Sequence, residues 1–198
     1  MSGKRDKRPI RRVVGISGTP RRGGNTDLLL DKALEGAKSA GAVVEKIALR
    51  DLDLEGCREC GGCGKSGICI IRDDMRRVYK SLERSDAIIV ASPIFFGSVT
   101  AQLKAMIDRF QGWWIARYVL KKRKSLKGGS KGYFISASGA SGRKYFRPAR
   151  TLVRIFFATL GATYSGALFC AGVEDKGAII KDKGALERAF RLGWTSAR

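Results

Sequence analysis

Four cysteines fall on one short stretch, Cys57, Cys60, Cys63 and Cys69, spaced C-x2-C-x2-C-x5-C. Two overlapping C-x2-C units bring three thiolates onto one tight turn, and Cys69 can close the cage after a glycine-bearing excursion. Compact all-thiolate ligation of this kind is what iron–sulfur clusters require. Zinc, or thiols that stay free and redox-active, are the alternatives. Zinc ribbons separate two C-x2-C knuckles by a longer stretch, which counts against zinc. The fifth cysteine, Cys170, lies in an apolar run and reads as a small buried hydrophobe.

A second constellation is the turn SGTPRRGGNT, residues 17–26. It follows an apolar run and opens a helical pattern, so backbone N–H groups and the positive end of a helix point at one spot, as phosphate binding needs. Ser17, Thr19, Asn25 and Thr26 can add donors, and Arg21 or Arg22 can add charge. The turn is neither G-x-G-x-x-G nor a Walker sequence. A plain polar loop is the other reading. Two more loops share its setting. Residues 92–98, SPIFFGS, present apolar and aromatic groups that suit a flat aromatic ligand, or else pack on the next helix. Residues 136–142, SASGASG, carry glycines that let amides approach a ligand closely.

Composition narrows the chemistry. The chain has no histidine, which removes His triads, a His general base and His metal ligands. A net charge of +21 favours anionic partners: nucleotides, acidic redox proteins or nucleic acid. For nucleic acid, charge is the sole argument, since no recognised binding motif is visible. With 198 residues, 44% of them hydrophobic, one domain with a sizeable core is expected over 1–198. No apolar run is long enough to span a bilayer and no apolar leader follows the basic start, so a cytoplasmic location is expected.

These loops need strands and helices to aim them. Residues 1–11 read as a basic arm, followed by a strand at 13–16. A helix starts near Asn25 or Thr26, with Leu29, Ala33, Leu34 and Ala37 at helical spacing. A second strand covers 43–49, and the cysteine-rich loop covers 55–72. Asp73 or Asp74 caps a helix bearing Met75, Val78 and Leu82; a cap, not catalysis, is their expected role. The apolar strand 87–91 is expected to be central. A long helix runs from about Val99, with Leu103, Met106, Ile107 and Phe110 on one face. Asp108 and Arg109 on it read as a structural ion pair or an interface contact, and Trp113 and Trp114 must face different sides. Residues 121–131 form a basic loop, and strands at 133–137 and 164–171 flank a helix at 152–160. A short helix with Leu186, Ala189 and Phe190 ends the chain. Alternating strands and helices predict an α/β fold: a doubly wound, five-stranded parallel sheet in the flavodoxin-like order 2-1-3-4-5. The loops after strands one, three and four then share one crevice.

The runs GISGTPRRGGNT, CRECGGCGKSGICIIRDDM, SPIFFGSVTAQLKAMIDR and SASGASG resemble the NADPH-dependent FMN reductase superfamily, and its iron–sulfur flavoprotein branch in particular. The resemblance spans about residues 12–171, with the segments in the family's order. It implies that Ser17, Thr19, Arg21, Asn25 and Thr26 hold the FMN phosphate. Pro93, Ile94, Phe95, Phe96 and Gly97 would border the isoalloxazine, with Ser138 and Gly139 on its other side. It further implies a 4Fe–4S cluster on Cys57, Cys60, Cys63 and Cys69, and a homo-oligomer, dimer or tetramer, with flavin and cluster near subunit contacts. Relatives without a cluster can keep several of these cysteines.

The expected function is an electron-transfer flavoprotein. A ferredoxin-like acidic donor reduces the cluster, which passes electrons to FMN and on to an acceptor. No side chain is assigned a catalytic role. The alternative is an NAD(P)H-dependent FMN or quinone reductase without a cluster, with NAD(P)H as substrate. A nucleic-acid-binding protein on a redox scaffold is a third reading.

Overall fold

The computed structural model describes residues 11–122, 125–126 and 128–198. The basic arm lies outside the described residues but for Arg11, as do parts of the basic loop.

Five strands, β1 (Arg12–Ser17), β2 (Val43–Ala48), β3 (Ala87–Ala91), β4 (Lys131–Ser138) and β5 (Thr163–Ala171), form one parallel sheet. Their order is β2-β1-β3-β4-β5, as expected from the sequence. Both faces are covered, so the central strands read as unbroken apolar runs, and every residue of β3 is buried.

Successive side chains of a strand face opposite ways, which splits the core in two. Val13, Ile89 and Ile135 pack against α1 (Asn25–Ser39) and α6 (Lys183–Ser196). Val14, Ile16, Ile88, Val90 and Phe134 pack against α2 (Met75–Glu83), α3 (Ala101–Asp108), α4 (Gln111–Trp114) and α5 (Arg147–Leu160). The α1–α6 contact is close because two glycines form notches. A Cβ on Gly36 would strike the Phe190 carbonyl, and one on Gly193 the Ala33 carbonyl. The final helix is thus a full wall of the core, longer than the short helix expected.

The long helix expected from Val99 is broken. Thr100 caps α3 by accepting from the Leu103 N–H, and α3 stops at Asp108. There the Phe110 N–H bonds back to the Ile107 carbonyl, a tightened i→i−3 turn. The chain then resumes as α4 and a π-helical turn, Ile115–Val119. Trp113 is buried and Trp114 exposed, as adjacency required, and Cys170 is buried in β5.

Candidate functional site

A cavity of about 420 Å³ opens at the carboxyl ends of the strands. This is where a parallel α/β sheet leaves a crevice, since neighbouring connections leave on opposite faces. Thr19, Arg21, Asn25 and Thr26 line one end. Pro93, Ile94, Phe95 and Phe96 line a second wall, and Ser138 and Gly139 a third.

The polar end is rigid because of what lies beneath it. Asp27 is buried at the base of the turn. Its carboxylate accepts from the Ser17 hydroxyl at 2.8 Å and the Gly23 N–H at 3.0 Å, and pairs with Lys46 Nζ at 2.9 Å. Arg50 approaches it at 3.3 Å. Burial alone would raise this carboxyl's pKa; the bonds from Lys46, Gly23 and Ser17 outweigh it and hold the pKa at about 2. Gly24 stands at the N-cap of α1, where no side chain occupies the first N–H groups of the helix. That leaves an anion cradle of backbone donors facing the cavity. Arg22 is tied to Asp51 at 2.8 Å and does not line the cavity, whereas Arg21 does.

Two expected residues fall outside the lining. Ser17 is fully buried and spends its hydroxyl on Asp27, so it supports the turn from below. Gly97 sits at the back of a tight turn in which Phe95 and Ser98 exchange both backbone hydrogen bonds at 2.9 Å. Phe96 and Gly97 both have positive φ, 50° and 74°. This is the two-residue turn of a hairpin, a strained conformation for phenylalanine. It carries the Phe96 ring fully into solvent at the cavity lip.

Asn25 lines the cavity, yet its carboxamide is committed elsewhere. It donates to the carbonyls of Val173 (3.3 Å) and Asp175 (2.9 Å) and accepts from the Ile179 N–H (3.2 Å). It therefore clips the loop after β5 to the phosphate-type turn. That loop supplies Val173, Glu174 and Lys176 to the lining, none of which sequence reasoning found. A Cβ on Gly139 would meet the Glu174 carboxylate, which approaches the glycine closely and would have to swing aside. The one available signal was position: this loop also leaves a strand's carboxyl end. Its sequence VEDKG lacks the apolar or glycine-rich stamp of the other three loops.

The cysteine loop joins β2 to α2. Cys57 and Cys60 are exposed, Cys63 and Cys69 half-buried, and all four are free thiols. The loop turns through hydrogen bonds from Gly64 N–H to the Gly61 carbonyl and from Gly67 N–H to the Cys63 carbonyl, each 2.8 Å. It presses at Gly67 onto α4 and the π-helical turn after it, where a Cβ would lie 2.5 Å from that of Ala116. Burial, and then the nearby Cys69, Cys57 and Cys60 sulfurs, push the Cys63 thiol pKa up. Among the described residues, no group of three or more His, Cys, Asp or Glu is already arranged to hold a metal ion. As a donor set the loop fits an iron–sulfur cluster: four unpaired cysteines on one glycine-hinged excursion.

The acids flanking this loop have other roles than expected. Asp74 stands at the N-cap of α2 without a side-chain cap bond, while Asp73, just before it, accepts from the Met75 N–H at 3.1 Å and mainly receives the Arg109 guanidinium. Asp74 accepts from the Asp53 N–H at 2.9 Å. Asp108 does not pair with Arg109 but with Lys104, at 2.7 Å.

Known proteins resemble this chain in sequence and in fold. A family model described as NADPH-dependent FMN reductase matches residues 11–174. An iron–sulfur flavoprotein of Methanocaldococcus jannaschii is 44% identical over 98 residues, 50% of this chain and 51% of that protein. One of Methanosarcina thermophila is 39% identical over 98 residues, 50% of this chain and 51% of that protein. The matched part of the chain thus spans about half the length of these curated relatives. Among solved structures, an FMN-dependent NADH-azoreductase of Bacillus anthracis in complex with FMN superposes with a TM-score of 0.71 at 16% identity. That match covers 96% of this chain and 100% of the azoreductase, and it shows a shared fold.

Proposed function

The chain belongs to the NADPH-dependent FMN reductase family, and from that premise we propose that it is an FMN-binding oxidoreductase that also carries a 4Fe–4S cluster. Electrons would enter singly from an acidic, ferredoxin-like carrier and leave to an acceptor through the flavin. The observation that carries the flavin half is the cavity, with an uncapped helix start at one end and an apolar, aromatic wall at the other. The free cysteines on one loop support the cluster half.

Bound FMN would supply a ring that takes electrons one or two at a time, and a cluster on Cys57, Cys60, Cys63 and Cys69 would exchange them singly. The chain supplies placement and electrostatics. The open N–H groups of α1, with Thr19, Thr26 and Arg21, hold the phosphate. Pro93, Ile94 and Phe95 exclude water from one side of the ring, and Ser138 and Gly139 border the other. Glu174 sets a negative charge beside Gly139, and Lys176 adds a cation over Gly23.

For the donor, Arg58, Lys65, Arg72 and Arg76 are exposed on or beside the cysteine loop of a chain with net charge +21. Complementary charge speeds encounter with an acidic carrier. A second copy is the other partner we propose. The apolar groove of about 660 Å³ between α3 and α5 includes Ile107, Trp114, Leu152 and Ile155. Its charged members Lys104 and Asp108 neutralise each other, so two strongly basic copies can meet there with little repulsion.

Visible and EPR spectra of anaerobically purified protein test the main reading. Both flavin and iron–sulfur signals are expected; flavin with zinc, or with no metal, would reject the cluster half. A second reading, an NAD(P)H-dependent FMN or quinone reductase without a cluster, has one observation in its favour. The half-exposed Phe95 and the fully exposed Phe96 leave apolar surface at the lip for a second planar ring. Rapid bleaching of the bound flavin by NADPH is its expected sign.

A further inference from the structure

Arg109 is among the largest fully buried side chains of the protein. Its guanidinium spans the base of the cysteine loop. One terminal nitrogen donates to the Glu55 carbonyl at 2.8 Å and to Asp73; the other donates to Asp73 at 3.0 Å and approaches the Ile71 carbonyl at 3.5 Å. One side chain thus ties both ends of the loop, before Cys57 and after Cys69. The residue is itself held: Tyr79 donates its hydroxyl to the Arg109 carbonyl at 2.6 Å, and the Tyr79 ring meets Phe110 and Trp113. Its approach to the Ile71 carbonyl sets the guanidinium two residues along the chain from Cys69. Burial opposes its charge, but Asp73 and then Cys69 outweigh burial and push its pKa up. Its Nε–H is buried without a partner, a donor still unspent.

We propose that Arg109 is a positioning residue that clamps the cysteine loop and, as a fixed cation beside Cys69, raises the reduction potential of a cluster held there. This rests on reading the four cysteines as cluster ligands. A cluster held on these thiols would gain one negative charge for each electron that a reduced one-electron carrier gives up, the carrier being oxidised by one. No bond forms and no proton moves. A permanent cation near one ligand favours the more negative state. Asp73, the other half of the ion pair, carries the opposite charge and opposes it. The two halves of one salt bridge therefore act on the potential with opposite signs.

That opposition gives the test. Protein loaded anaerobically with iron and sulfide is titrated reductively, with EPR reporting the reduced cluster. Arg109→Gln should shift electron uptake about tenfold toward the oxidised form, a fall of about 59 mV. Asp73→Asn should raise the potential, and Arg109→Lys should stay nearer to wild type than Arg109→Gln. Both Arg109→Gln and Asp73→Asn break the same bridge, so a merely structural role moves both the same way. Shifts of one sign, or none, overturn the assignment while the cluster reading stands. Should Arg109→Gln lose its far-UV circular dichroism, Asp73→Asn decides alone: a rise supports the role, and an unchanged or lower value overturns it. A wild-type protein that assembles no cluster overturns the cluster reading and this role with it.

Discussion

The phosphate-type turn and the cysteine loop are both excursions from a strand's carboxyl end, yet they are built differently. Beneath the turn lies a buried network in which Asp27 receives Ser17, Gly23, Lys46 and Arg50. Its backbone is held from below before any ligand arrives. The cysteine loop is held at its two ends by Arg109 and pressed at Gly67, while Cys57 and Cys60 stand in solvent. The contrast teaches where each region's order comes from. The turn is organised by folding, whereas on the proposed function the loop's middle would be ordered by a cluster bound to its thiols.

The contrast breaks most readily at the cysteines. Cys60→Ala should remove the cluster entirely while flavin retention stays unchanged, read by iron analysis and flavin absorbance on one sample; an intact cluster spectrum would reassign the ligands. Next in size is Gly67→Val. A Cβ there meets Ala116 at 2.5 Å, and the φ of 76° is unfavourable for a β-branched residue, so about 2–3 kcal/mol of stability should be lost in urea unfolding. Flavin affinity of the folded fraction should hold.

Asp27 probes the other side. Its folded pKa of about 2 lies below the ordinary 3.8, so its contribution is present above about pH 4 and is lost as pH falls through about 2. Those two values correspond to about 2 kcal/mol. Acid unfolding curves of wild type and Asp27→Asn should therefore differ at neutral pH and converge near pH 2. Curves that stay parallel to low pH would place the network's strength elsewhere.

A smaller effect belongs to Asn25→Ala. Loss of its bonds to Val173, Asp175 and Ile179 should speed hydrogen exchange at the Ile179 amide and weaken FMN binding by about 1 kcal/mol. Weaker binding with unchanged exchange would restore a direct phosphate role. Smallest is the pair Arg21→Ala and Arg22→Ala. The first should weaken FMN binding a few-fold and salt-dependently; the second should do nothing measurable, since Arg22 serves Asp51.

Much of this was legible in the chain. Short apolar runs ending in Ser-Gly, Ser-Pro and Ser-Gly-rich segments marked β1, β3 and β4, and the strand–helix alternation led to the sheet order. Thr19, Arg21, Asn25, Thr26, the 93–96 wall and Ser138–Gly139 do meet at one cavity. The break after α3 was not legible, because Leu103, Met106 and Phe110 keep helical spacing through it while Arg109 turns inward to a carboxylate 36 residues away. Nor was Asn25's role, since its partner carbonyls lie about 150 residues on and an asparagine in such a turn looks like a ligand donor.

By itself, the order of residues determined the local matters: which runs are strands, where helices begin, which loops carry chemistry and that four thiols share one of them. Those follow from side-chain periodicity and backbone preference within a few residues. The tertiary structure alone decided which polar groups are spent on the fold and which face a ligand. Ser17, Arg22 and Asn25 were claimed by buried or distant partners, while Glu174 and Lys176 were delivered to the cavity. The reason is that buried polar groups must find hydrogen bonds wherever the chain brings partners together, and that pairing is set by packing across the whole domain.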